Sequence, residues 1–208
     1  MPTTNRDLML QARESLKNRW GIAVGGNVIY LVLVVLIQSV PKVGWAAGLI
    51  LGGPLLLGWT IFMLSFSRRQ EPRIAQVFEG FNRFLPSLVA YLLMSLFILL
   101  WSLLLLIPGI IAYLSYSQTF FILADNPQME GREALRRSKI LMKGNRVKLF
   151  FLFCRFFGWF VLGIVSAGIG FLWIMPYLGT TLGRFYDDLQ RGGFAFAQEG
   201  VKVETLQP

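Results

Sequence analysis

The sequence predicts an all-α membrane protein. Its six transmembrane helices form three antiparallel hairpins, each preceded by a basic amphipathic helix at the membrane surface, with both termini cytoplasmic. Three observations predict this. Of 208 residues, 55% are hydrophobic and 15% charged, with mean hydropathy +0.58; a soluble domain carries about a quarter charged residues. Six apolar runs approach the roughly 20 residues needed to cross a hydrocarbon core about 30 Å thick. The charges lie almost wholly between those runs.

Residues 5–20 alternate charge and hydrophobe, with Leu8, Met9, Ala12 and Leu16 on one helical face. No small-residue cleavage site follows a short apolar core, so the first run reads as a retained span. The spans are 21–40, 44–66, 85–107, 109–124, 147–168 and 170–186. Pro41 and Lys42 divide the first pair, Pro108-Gly109 the second, and Ser166 to Gly170 the third. Proline removes a backbone donor and glycine permits a sharp turn. Such short connections make each pair a hairpin.

Lys and Arg in the loops set the orientation. Four precede the first span, four lie in 67–84, seven in 125–148 and three in the C-terminal part; Lys42 alone lies at a hairpin tip. Both termini therefore face the cytoplasm. Asn18, Asn82 and Asn145 each precede an arginine where a basic stretch enters a span, at intervals of 64 and 63 residues. This spacing divides one six-helix domain, 1–189, into units of about 5–66, 70–124 and 130–189. Residues 190–208 read as a polar, mobile tail.

The segment before the fifth span is the most basic. Ala134, Leu135, Ser138, Leu141 and Met142 form one face, while Arg132, Arg136, Lys139 and Lys143, with Arg137 beside them, carry the charge. Such a helix lies in the headgroup plane. Its cations either bind anionic lipid or only fix topology. The stretch around Ile74, Phe78 and Phe81 looks like a shorter copy.

Arg155 is the one charge left inside the apolar run that follows the basic segment, about 10 Å beyond Lys148. Similar depth on other spans gives Asn27, Thr60, Tyr91, Thr119 and Thr181, and Tyr116 adds to the polar fourth span. These residues define a candidate polar pocket opening to the cytoplasm; the alternative is that Arg155 snorkels to the interface. Asp187 and Asp188 are candidate partners for it. Gly44, Gly48 and Gly52, and Gly179 and Gly183, recur at four-residue spacing, as do Gly21 and Gly25. Such stripes pack helices within one chain or between two copies.

The chain has no histidine and one cysteine, Cys154. No catalytic residue, metal site or cofactor site emerges, and an enzyme is not expected. The net charge of +9 is explained by topology, without nucleic acid.

The segments "GPLLLGW" (53–59), "LIPGIIAYLSYS" (106–117), "FILADNPQMEGREALRRSKILMKGN" (121–145) and "MPYLGTTLGRFYDDL" (175–189) resemble the DUF975 family of bacterial integral membrane proteins. A more distant similarity is to the membrane domains of some glycerophosphodiester phosphodiesterases. The resemblance implies a multi-pass protein of the bacterial cytoplasmic membrane and supplies no activity. The expected function is a non-enzymatic scaffold or anionic-lipid-interacting membrane protein. The alternative is a transporter or exporter of a small or amphipathic solute through the polar pocket. Membrane lipids are the expected partners; protein partners and a homodimer stay open.

Overall fold

A computed structural model describes residues 3–41 and 44–204, with side chains to residue 192. Lys42, to which the orientation argument assigns a hairpin tip, and the side chains of most of the 190–208 segment lie outside the described residues. All regular structure among the described residues is helical. The elements are α1 (Asn5–Leu16), α2 (Trp20–Gln38), α3 (Gly44–Ser67), α4 (Gln76–Glu79), a 3-10 turn (Gly80–Arg83) and α5 (Phe84–Leu104). They continue with α6 (Leu106–Tyr116), α7 (Thr119–Asp125), α8 (Gly131–Leu141), α9 (Arg146–Val165) and α10 (Phe171–Glu204).

Among the described residues, five helical stretches are long and apolar enough to cross a membrane: Trp20–Gln38, Gly44–Ser67, Gln76–Leu104, Leu106–Asp125 and Arg146–Val165. The expected sixth, 170–186, is not among them. The uncharged start of α10, Phe171 to Gly183, covers about 20 Å at 1.5 Å per residue. Arg184, Asp187 and Asp188 then interrupt it. α10 itself continues past residue 189 to Glu204.

Local chemistry sets the boundaries. At the start of α1 the Thr4 hydroxyl accepts from the Asp7 N–H, and Asp7 accepts from the Thr4 N–H, a reciprocal cap. The Thr4 hydrogen bond holds the Asp7 carboxyl below its usual range. The break between the third and fourth runs falls at Leu105 rather than Pro108-Gly109, with Leu105 extended at φ −163°, ψ 148°. Pro108 instead occupies the first turn of α6, where a helix N–H has no intrahelical acceptor. The junction asparagines take different forms. Asn18 has φ 64°, and Asn145 caps α9 immediately after Gly144 at φ 85°.

The short helices α1, α4 and α8 are followed by the long helices α2, α5 and α9, and these by second helices: α3, the broken pair α6 and α7, and α10. This order divides the chain into three units. The second helices make the interior: 61% of the apolar window of α3 is buried, against 17% for α2 and 11% for the α5 stretch. α3 packs against α2, α5, α7 and α10, and α10 also against α1, α2 and α9. Each short helix leans on a different unit. α4 crosses α3, α8 lies across α5 and α7, and α1 packs on α10. The first crossing is backbone against backbone. A Cβ at Gly58 would overlap the Val77 carbonyl oxygen, and one at Gly80 would lie 2.6 Å from the Gly58 nitrogen.

Candidate functional site

The second helices of the three units meet in an ionic junction. Arg68, just after α3, places Nη1 2.5 Å from Asp125 Oδ1 at the end of α7 and Nη2 2.9 Å from Asp187 Oδ1 on α10. Ser67 donates to Asp187 Oδ2 at 3.2 Å, and Tyr186 and Gln190 each donate to Asp125 Oδ2 at 3.3 Å. Two carboxylates on one guanidinium, led by the Asp125 hydrogen bond, raise its pKa above the ordinary arginine value. Beside this junction, Arg83 turns its guanidinium to the carbonyls of Leu123, Asn126 and Met129, fixing the exit of α7.

α8 attaches next to it. Gly131 begins the helix against α5, where a Cβ would lie 2.7 Å from the Ala90 nitrogen. Ala134, Leu135 and Ser138 are buried. Ser138 fills the gap between α6 and α7: its hydroxyl donates to the Ser115 carbonyl at 2.8 Å and accepts from the Gln118 N–H at 3.2 Å. A broken span frees backbone groups that must find partners, and α8 supplies one.

The opposite face of α8 is cationic. Arg132, Arg136 and Lys139, at i, i+4 and i+7, line an open groove of about 350 Å³ with Leu93, Phe97, Tyr116 and Leu135. Phe97 and Tyr116 stack at 5.8 Å between ring centroids. The structure thus gathers three of the five basic residues expected to meet headgroups. Arg137 turns instead toward a depression bordered by Asp125, Glu130 and Glu133. Lys143 lies beyond the end of α8. Arg136 and Arg137 both reach Glu133, at 3.3 and 3.1 Å. These are exposed pairs, each contributing a few tenths of a kcal/mol.

The residues expected to form a polar layer are placed as follows. Asn27, Thr60, Tyr116, Thr119 and Thr181 are buried, Tyr91 is half-buried, and Arg155 is exposed. The threonine hydroxyls donate to carbonyls of their own chain segment, those of Leu56, Tyr116 and Tyr177. Asn27 accepts from the Trp59 indole at 3.4 Å. Arg155 borders a shallow depression with Thr3, Thr4, Asn5, Lys148, Phe151 and Cys154. Asp187 and Asp188 pair elsewhere: Asp187 with Arg68, and Asp188 with Lys148 at 2.7 Å. Lys148, two turns before Arg155 on α9, is the cation that meets Asp188, and Arg68 takes Asp187.

The glycine stripes point inward where they touch anything. A Cβ at Gly44 would lie 2.8 Å from the Ile37 carbonyl, at Gly52 2.9 Å from the Tyr91 ring, at Gly179 2.7 Å from Trp59, and at Gly183 2.9 Å from Ser67. Gly48 faces the Gln38 amide at 3.5 Å, ordinary contact. Gly21 and Gly25 face open space. The ionic junction was missed in the sequence. Its signal is that Arg68, Asp125 and Asp187 each follow the apolar part of a second helix.

Fold and site together define a multi-helix protein with apolar helices suited to a membrane and a cationic groove at one helix crossing. The chain matches the family described as "Protein of unknown function (DUF975)" over residues 1–113 and 103–192, and it belongs to that family. No curated protein and no solved structure matches it, so the likeness to glycerophosphodiester phosphodiesterases is not shown.

Proposed function

We propose that this protein is a non-enzymatic membrane scaffold that holds an anionic phospholipid in the groove between α5, α6 and α8. The single observation that carries the reading is the composition of that groove. Three cations line one edge and four apolar side chains form its wall. A phosphate meets the guanidinium and ammonium groups while an acyl chain lies along Phe97 and Leu93. Near an anionic surface each Lys or Arg contributes about 1 kcal/mol, so three contribute about 3 kcal/mol.

In this reading the chain crosses the bacterial cytoplasmic membrane six times, in three hairpins, with α10 as the sixth crossing and both termini in the cytoplasm. Support comes from the Lys and Arg asymmetry and from the location of Arg184, Asp187 and Asp188 on the same side as Arg68 and Asp125. The shortness of the apolar part of α10 is tolerated because the helix is interior, with Ile174, Leu178, Thr180 and Thr181 buried by protein. Export of a solute through a cytoplasm-facing polar pocket draws no support from Thr60, Thr119 and Thr181, whose hydroxyls bond to nearby carbonyls.

Thermal unfolding in mild detergent with added lipid tests the proposal. Phosphatidylglycerol raises the midpoint of the wild type more than phosphatidylcholine does, and the difference shrinks in Arg132→Gln/Arg136→Gln/Lys139→Gln. Equal stabilisation by both lipids, or a difference untouched by the triple substitution, rejects the groove as a headgroup site.

A further inference from the structure

A second, more enclosed cavity has no residue of α8 in its lining. α2, α3 and α5 surround about 250 Å³, lined by Tyr30 and Gln38 from α2, Gly48, Gly52 and Leu55 from α3, and Tyr91 from α5. Tyr30 and Gln38 are eight residues apart, about 12 Å along α2, so the cavity extends from mid-helix toward the end remote from α1.

Among the described residues the polar groups here have no protein partner. Among the described residues, the side-chain hydrogen bonds on these three helices are those of Trp59 with Asn27, Thr60, Ser65, Ser67 with Asp187, and Ser87. None involves the hydroxyls of Tyr30 and Tyr91 or the amide of Gln38. Tyr30 and Tyr91 are half-buried and Gln38, the last residue of α2, is exposed, so their polar groups are open to a ligand in the cavity. The two glycines hold the cavity open. A Cβ at Gly52 would press on the Tyr91 ring, while one at Gly48 would come into ordinary contact with the Gln38 amide at 3.5 Å.

We infer that this cavity is a binding site for a small uncharged amphiphile, an apolar body bearing a hydroxyl or carbonyl group. Among the described residues no charged side chain lines it, so none of them offers an ion a counter-charge. The volume is about eight waters' worth at roughly 30 Å³ each. That lies just below the range of drug-sized pockets, which begins at about 300 Å³, and suits a medium-chain or aromatic alcohol. The aliphatic wall takes the body, while Tyr30, Tyr91 and Gln38 donate to or accept from its polar end. The inference does not depend on the phospholipid groove, because α8 contributes nothing to this cavity.

Photolabelling tests it. The probe is an octanol carrying a diazirine on its chain, used beside the matching diazirine octane without the hydroxyl, on protein in phosphatidylcholine nanodiscs. The octanol labels peptides containing Tyr30, Gln38 and Tyr91, and excess unlabelled octanol suppresses that labelling at least fivefold. Tyr30→Phe/Tyr91→Phe, which keeps the shape, lowers octanol labelling by a similar factor and leaves octane labelling unchanged. Gly48→Val, which fills the space, lowers both. Equal labelling by the two probes in the wild type, or octanol labelling unchanged in the double phenylalanine variant, overturns the inference and leaves a crevice for lipid chains.

Discussion

Arg68 Nη2 and Asp187 Oδ1 stand 2.9 Å apart although 119 residues separate them in the chain. One belongs to the end of α3 and the other to α10, so the contact closes the first unit on the last. Asp125, on the same guanidinium, brings in the second unit. The three interior helices are therefore tied together at one end by a single arginine.

Arg68→Gln removes that tie and leaves two partly buried carboxylates without their cation. Loss of one partner from a fully buried pair costs about 3–5 kcal/mol. Here the side chains are 30%, 22% and 15% exposed, and screening reduces the loss to about 2 kcal/mol. Thermal unfolding in detergent measures it. The raised pKa of Arg68 means that its contribution is present below the unfolded arginine value and is lost only above the folded one. Both lie above about pH 12, so the difference between wild type and Arg68→Gln stays constant from about pH 6 to pH 9.

Ser138→Ala deletes the group that joins α8 to the gap between α6 and α7. The Gln118 N–H and the Ser115 carbonyl then lose a buried partner, a loss of about 1–3 kcal/mol. Hydrogen exchange at Gln118 reports it: protection falls there first, ahead of α3 and α10.

Glycines of similar pattern respond in opposite ways. Gly58→Ala and Gly80→Ala drive a methyl into backbone at the crossing of α3 with α4 and the 3-10 turn, and destabilise by at least 1–3 kcal/mol. Gly21→Ala and Gly25→Ala meet nothing within 4 Å and leave stability equal or raise it by up to about 1 kcal/mol through helix propensity. Denaturation midpoints of the four variants decide the matter.

Topology is read from single cysteines in a Cys154→Ser background. Ile169→Cys lies at the exposed tip between α9 and α10, and Arg137→Cys lies on α8. With six crossings, a membrane-impermeant maleimide labels residue 169 in intact cells and labels residue 137 only after lysis.

Much of the fold was legible because its signals are local. Long apolar runs and the helical period of Ala134, Leu135, Ser138, Leu141 and Met142 each act within a few turns. Gly44 and Gly52 marked close packing for the same reason, although spacing alone did not distinguish them from Gly21 and Gly25, which touch nothing. The hairpin break was misplaced by three residues because proline signals a helix start as readily as a stop. The ionic junction was illegible because Arg68, Asp125 and Asp187 are 57 and 62 residues apart (125−68, 187−125) and meet only when three helices converge. The groove stood between. Its cations were visible on one face of α8, but its apolar wall comes from Leu93, Phe97 and Tyr116 on two other helices.

The central claim is that Arg132, Arg136 and Lys139 hold an anionic lipid. Native mass spectrometry of protein released from mild detergent with equal phosphatidylglycerol and phosphatidylcholine tests it most directly. One phosphatidylglycerol is retained on the wild type and on Arg155→Ala, and its binding is on the order of a hundredfold weaker when the three groove cations are neutralised, as about 3 kcal/mol implies. Retention that survives neutralisation of the groove, or that disappears with Arg155→Ala alone, would contradict the account.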